Sequence, residues 1–137
     1  MTDDLNKKTI YSGSDVAGLT WTFTKPTGED PAITYADAAI ALRIYRLTAK
    51  GIPESTTPNV VLALGSGLTR PDAGNTATVQ SGSLVISEAR VASLLGSARS
   101  ANCRYHWKIT PVGAASLRSF KGGGYDGGFT IQAEGNP

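Results

Sequence analysis

The chain has 137 residues, 40% of them hydrophobic and 18% charged, which fits one compact domain and leaves little room for a second. Cys103 is the only cysteine and His106 the only histidine, which excludes an internal disulfide, a thiolate metal cluster and any site that needs two imidazoles. Thirteen basic and 11 acidic residues leave a net charge of +2, too balanced to make phosphate-backbone binding the default.

Met1-Thr2-Asp3-Asp4 opens the chain without the basic leader or apolar stretch of a signal peptide. The longest uncharged apolar run, residues 59–68, is about half the length a membrane-spanning helix needs, so a soluble chain with no membrane partner is expected. Residues 1–14 are polar with isolated Leu5, Ile10 and Tyr11, the composition of an arm that orders on a neighbour, and the domain proper is expected over 15–137.

From Leu19 to Thr24 the order Leu-Thr-Trp-Thr-Phe-Thr sets Leu19, Trp21 and Phe23 on one face and three threonines on the other, a half-buried strand. Residues 25–31, with two prolines and a glycine, read as a loop. The alanines of 36–47 favour helix, but Ile40, Leu42 and Ile44 alternate with Ala41, Arg43 and Tyr45, and the alternation predicts a strand over 39–47. A surface loop follows at 50–58, then a short strand at 60–64, closed by Gly65-Ser66-Gly67, and a turn over 68–75.

Two short strands at 76–80 and 83–86, parted by Ser81-Gly82, suit a tight hairpin. Residues 87–95 predict the one helix: Ser87 as N-cap, Glu88 at the positive end, Val91, Leu94 and Leu95 on one face, and Gly96 to end it. Cys103 to Thr110 is the best strand, with Cys103, Tyr105, Trp107 and Ile109 facing one way and Arg104, His106, Lys108 and Thr110 the other. A turn at 111–114 and strands at 117–121 and 129–133 complete the chain. The many short strands, with 16 glycines and 7 prolines as punctuation, point to an all-β fold, a single antiparallel sandwich with one short helix.

The chemistry is sparse. His106 lies between Arg104 and Lys108 with no carboxylate near it in sequence to orient it, which favours a surface or interface histidine over a catalytic one. Cys103 starts the inward row and reads as a small buried hydrophobe. Gly122 to Gly128 has the glycines of a phosphate cradle but neither the helix nor the Lys-Ser/Thr pair that should follow, so a hairpin tip or bulged edge is expected. Asp126 stands without a second carboxylate for calcium, and Ser66 lacks the frame of a nucleophile elbow. No catalytic, cofactor or metal residues are assigned. Arg43, Arg46, Arg104 and Lys108 alternate outward beside Tyr45 and His106, a pattern shared by nucleic-acid and protein interfaces; the small net charge favours protein.

The order of these features resembles a module of tailed-bacteriophage virion proteins, including the immunoglobulin-like N-terminal domain of baseplate upper proteins. The matching pieces are Gly18-Leu19-Thr20-Trp21-Thr22-Phe23, Ala39-Ile40-Ala41-Leu42-Arg43-Ile44-Tyr45, residues 60–69, Ser83-Leu84-Val85-Ile86, the helix at 87–95, residues 103–109 and Gly128-Phe129-Thr130-Ile131. The resemblance spans about residues 15–133. It implies an immunoglobulin-like β-sandwich that is an assembly part without an active site, found in the virion and made in the host cytoplasm. Its partners would be other virion proteins, major capsid or tail and baseplate proteins, and further copies of itself. Baseplate and fibre proteins append a stalk, whereas this chain stops at Pro137, which raises a capsid decoration or cement role beside tail, baseplate or neck adaptor. The expected contact residues are Leu5, Ile10, Tyr11, Arg43, Tyr45, Arg104, His106, Lys108, Tyr125 and Asp126. A carbohydrate- or receptor-binding module using Tyr45, Tyr125 and Asp126 is the alternative.

Overall fold

The computed structural model describes residues 1–112, 120 and 123–134. Among them the elements are β1 (Thr2–Asp3), β2 (Thr9–Tyr11), β3 (Val16–Thr24), β4 (Ala39–Arg46), β5 (Val60–Leu64), β6 (Gly67–Thr69), β7 (Val79–Ile86), α1 (Glu88–Leu95), β8 (Ser100–Thr110) and β9 (Asp126–Gln132). The fold is mostly β with one short helix, as the period-two alternation predicts. The nine strands form one sheet in the order β1-β3-β7-β6-β5-β4-β8-β9-β2. Trp21 of β3 and Trp107 of β8 are separated by four strands in that order, yet their ring centroids lie 5.9 Å apart. The sheet therefore curls until its inner face packs on itself.

Most ladders are antiparallel, but β2 runs parallel to β9 and β5 parallel to β6, which corrects the expectation of a purely antiparallel arrangement. Gly65 and Gly67, both at positive φ, coil the chain through one tight loop and send β6 off in the direction of β5. β2 arrives on β9 from the opposite end of the chain, so no hairpin constrains its direction.

The inner face is what the alternation specifies. Leu19, Trp21 and Phe23 of β3, Ile40, Leu42 and Ile44 of β4, and Cys103, Tyr105, Trp107 and Ile109 of β8 are each at most 4% exposed. Burying a large apolar side chain stabilises by about 2 kcal/mol relative to leaving it in water, so these rows dominate the core. The helix adds Val91, Leu94 and Leu95; its N-cap Ser87 accepts the Arg90 N–H at 3.3 Å, and Gly96 ends it at φ 62°.

Three expectations are corrected. The hairpin over 76–86 is instead the single strand β7, in which Ser81 and Gly82 pair with Thr22 and Trp21. Gly82 marks a close approach: a Cβ there would collide with the Thr69 carbonyl and the Trp21 ring. The turn over 68–75 begins with β6, whose Leu68 is buried.

The third correction concerns residues 1–14, which are a strap on this chain's own sheet: β1 caps β3 at one end and β2 caps β9 at the other. Leu5 and Ile10 enter the core at 0% and 3% exposure. The Asp3 carboxylate anchors the strap by accepting the Tyr105 hydroxyl at 2.8 and 2.9 Å, Trp107 Nε1–H at 2.9 Å, and the N–H groups of Leu5 and Asn6. Asp4 accepts the backbone N–H and then the hydroxyl of Thr20, both at 2.8 Å, and these bonds hold its carboxyl below the ordinary value. Polar composition suggests a free arm because the partners lie on other strands, from Thr20 on β3 to Trp107 on β8.

The strand expected at 117–121 lies outside the described residues apart from Phe120, whose ring stacks on Tyr125 at 4.6 Å. The glycine-rich stretch expected as a loop to residue 128 already belongs to β9 from Asp126 onward. Gly127 and Gly128 lie where a Cβ would meet the Tyr105 hydroxyl and the Cys103 carbonyl, so here too glycine permits close backbone approach.

Candidate functional site

On the outer face of β8, Arg104, His106 and Lys108 follow one another at every second residue. Antiparallel register places Tyr45 opposite Arg104, Arg43 opposite His106 and Ala41 opposite Lys108. On the other flank β9 sets Gly128 beside Arg104 and Asp126 beside His106, while β5 sets Val61 beside Arg43. One row, Val61, Arg43, His106 and Asp126, thus crosses four strands.

The loop after β4 folds back over this face. Thr48 N–H donates to the Ile52 carbonyl at 2.7 Å, Glu54 N–H to the Arg46 carbonyl at 2.9 Å, and Leu47 bridges Pro53. Arg104 Nη2 donates to the Gly51 carbonyl at 3.3 Å, and Arg46 pairs with Glu54 at 3.5 Å, which tie the loop to the strands. Between loop and sheet lies a concavity of about 540 Å³, walled by Tyr45, Arg104, His106 and Asp126 on the sheet side and by residues 52–56 on the loop side. Ile52, at the rim, is 59% exposed.

The carboxylate that His106 lacks in its own strand comes from β9: Asp126 Oδ1 lies 2.7 Å from His106 Nδ1. Opposite a carboxylate the Nδ1 nitrogen is the one that carries hydrogen, which leaves Nε2 directed away from Asp126. Ser55 and Thr56 line the same concavity, but Ser55 Oγ accepts the Thr57 N–H at 3.1 Å, and no hydrogen bond joins either hydroxyl to His106. The pair orients the ring, and among the described residues His106 has no hydrogen bond to a hydroxyl or thiol. Among the described residues no three His, Cys, Asp or Glu side chains gather to hold a metal ion, and no helix is long and apolar enough to cross a membrane.

Six of the ten expected contact residues, Arg43, Tyr45, Arg104, His106, Lys108 and Asp126, share this face. Tyr11 stands apart on β2 at the sheet edge, 56% exposed. Leu5, Ile10 and Tyr125 are not surface residues at all: they fill this chain's core. Tyr125 packs against Phe120 and Phe23, and burial, with Glu29 behind it, raises its phenol above the ordinary value. Cys103 lies on the opposite face of β8, where burial pushes its thiol up to about 12. That is a core group, as its place in the inward row suggests.

Sequence reasoning missed Ile52 and Asp3. An isolated isoleucine between Gly51 and Pro53 in a polar loop is a legible sign of an exposed apolar contact. Asp3 carries no local sign, because all its side-chain donors come from β8.

No protein-family model and no curated protein matches the chain. Among solved structures it is similar to the periplasmic chaperone SfaE, at 11% identity and a TM-score of 0.43, over 98% of this chain. The chain spans 58% of the length of that structure's chain. A likeness at this level assigns neither fold nor activity.

Proposed function

We propose that this chain is a non-enzymatic structural subunit of a tailed-phage virion, its curled sheet a variant of the immunoglobulin-like sandwich, working by protein contact in a capsid decoration or a tail, baseplate or neck position. The virion assignment comes from the sequence resemblance. The contact role is supported by one observation above the rest: six polar residues from three strands converge on a single open face beside an exposed isoleucine. Arginine and tyrosine at the centre of such a face are the residue types enriched in protein interfaces. Partners would be capsid or tail proteins and further copies of the chain, held by many weak contacts in a symmetric particle.

The glycan-binding alternative loses Tyr125, which is 8% exposed and cannot act as a stacking platform. The test is an antibody against the chain applied to purified particles of the phage whose genome encodes it, with quantitative mass spectrometry of the same particles. A fixed copy number per particle is expected. Absence from the particles overturns the virion assignment, and sugar affinity abolished by Tyr45→Ala overturns the purely structural role.

A further inference from the structure

Resting on the contact role proposed above, we infer that the outer face of β4, β8 and β9 docks an acidic polypeptide segment that seats an apolar side chain in the concavity under the 47–58 loop. Charge accounting carries the inference. Among the described residues the ion pairs are Arg46–Glu54 and His106–Asp126, so both carboxylates at the concavity already have a cationic or imidazole partner. Arg43, Arg104 and Lys108 have no carboxylate of the described residues within 4.0 Å. Arg46 offsets Glu54, and Arg43, Arg104 and Lys108 together outnumber Asp126, so this face carries a net positive charge. Along β8, Arg104 and Lys108 are four residues apart, about 13 Å at the rise of a strand, the span of a short extended segment.

The concavity decides between a peptide and a nucleic acid. Its lining includes Ile52, Pro53 and Tyr45, so part of the bound surface has to be apolar. Asp126 and Glu54 line the same concavity, so a phosphate group that enters it meets carboxylate repulsion. A polypeptide can place neutral side chains opposite those two and carboxylates opposite Arg43, Arg104 and Lys108. Gly128 opposite Arg104 leaves that position of β9 without a side chain, so the guanidinium is open on that flank. Arginine's planar fork suits a carboxylate held there by two hydrogen bonds.

The experiment measures fluorescence anisotropy with a labelled peptide of glutamate and interspersed leucine, its counterpart with glutamine for glutamate, and oligothymidylate of equal length, each titrated with the full chain. The glutamate peptide is expected to bind, to lose about tenfold in affinity in the Arg104→Glu/Lys108→Glu double variant, and to lose about threefold with Ile52→Ser. Raising salt from 50 mM to 500 mM is expected to weaken it further, since exposed charges are screened. Arg104→Gln/Lys108→Gln serves as the milder pair, with unchanged thermal unfolding showing that the fold is intact.

No binding, or equal binding of the glutamine peptide, overturns the inference. Tighter binding of oligothymidylate that the charge reversal abolishes also overturns it, in favour of nucleic acid. If Arg104→Glu removes the chain from particles while no acidic peptide binds, the contact role stands and the partner chemistry falls. If the peptide binds through Arg104 but the chain is absent from particles, the virion assignment falls and the docking face stands.

Discussion

On its inner face β8 presents Cys103, Tyr105, Trp107 and Ile109, each no more than 2% exposed, while on its outer face Arg104, His106 and Lys108 meet solvent. The same backbone supports both, but the inner side chains are held from every direction. The Tyr105 hydroxyl and Trp107 Nε1 converge on one carboxylate, and the Trp107 ring lies against Trp21 from across the curled sheet. Outside, His106 is held by Asp126 and Arg104 touches a single loop carbonyl. One face is over-determined and carries the fold. The other leaves charge and apolar surface uncommitted, which is the condition for recognising something else.

The contrast breaks most severely at Trp107. Trp107→Ala removes the largest buried ring on β8 together with its bond to Asp3, and a loss of about 3–5 kcal/mol in denaturant unfolding is expected. A loss below about 1 kcal/mol would show that the inner face is loosely packed.

Asp3→Ala comes next. It leaves the Tyr105 and Trp107 donors buried without their acceptor and frees the strap, for an expected loss of about 2–3 kcal/mol. Asp3→Asn, which keeps one acceptor oxygen, is expected to recover part of it. Hydrogen exchange should show residues 1–11 opening well before β8. Equal protection in both variants would mean that Leu5 and Ile10 hold the strap without Asp3.

Gly82→Ala tests the crossing of β3, β6 and β7. Its Cβ has to displace the Thr69 carbonyl or the Trp21 ring, and about 1–2 kcal/mol is the expected loss. Wild-type stability would mean that β6 yields freely.

Alkaline pH separates the two faces without mutation. Burial raises the Cys103 thiol from 9.0 to about 12, and burial with the Asp3 bond raises the Tyr105 phenol above its ordinary 10.0. Both groups are held neutral by folding. Their contribution is fully present below the unfolded values and is lost as pH rises from about 9 through 12. Unfolding midpoints should therefore fall above pH 9, and iodoacetamide at pH 8 should label Cys103 in the unfolded chain but not in the native one. Rapid native labelling would place the thiol at the surface. At the other end of the scale, Arg43→Ala and Lys108→Ala are expected to change stability by less than about 0.5 kcal/mol, since neither has an ion-pair partner to lose.

Much of the fold was legible locally. The alternation in Leu19 to Thr24, Ile40 to Tyr45 and Cys103 to Thr110 fixes which side chains face inward, and Ser87 with Gly96 frames the helix. The same alternation put Arg43, Tyr45, Arg104, His106 and Lys108 outside, which is five of the six polar residues on the candidate face. What alternation does not carry is pairing. Ser81-Gly82 has the composition of a turn, and whether glycine turns a chain or admits a neighbouring backbone depends on the strand beside it. Tyr125 reads as exposed among glycines until the aromatic cluster of Phe23 and Phe120 is formed around it.

By itself the sequence determined the two-faced strands, the helix with its caps, and a chemistry too sparse in cysteine and histidine for the common metal and disulfide sites. Tertiary structure alone decided that β1 and β2 of one short strap close opposite ends of the sheet, that Asp126 meets His106, and that the 47–58 loop roofs a concavity over Arg104. The reason is physical. Side-chain polarity records, residue by residue, which way a strand faces, whereas edge closure, cross-strand register and loop placement depend on groups about twenty to over a hundred residues apart in the chain.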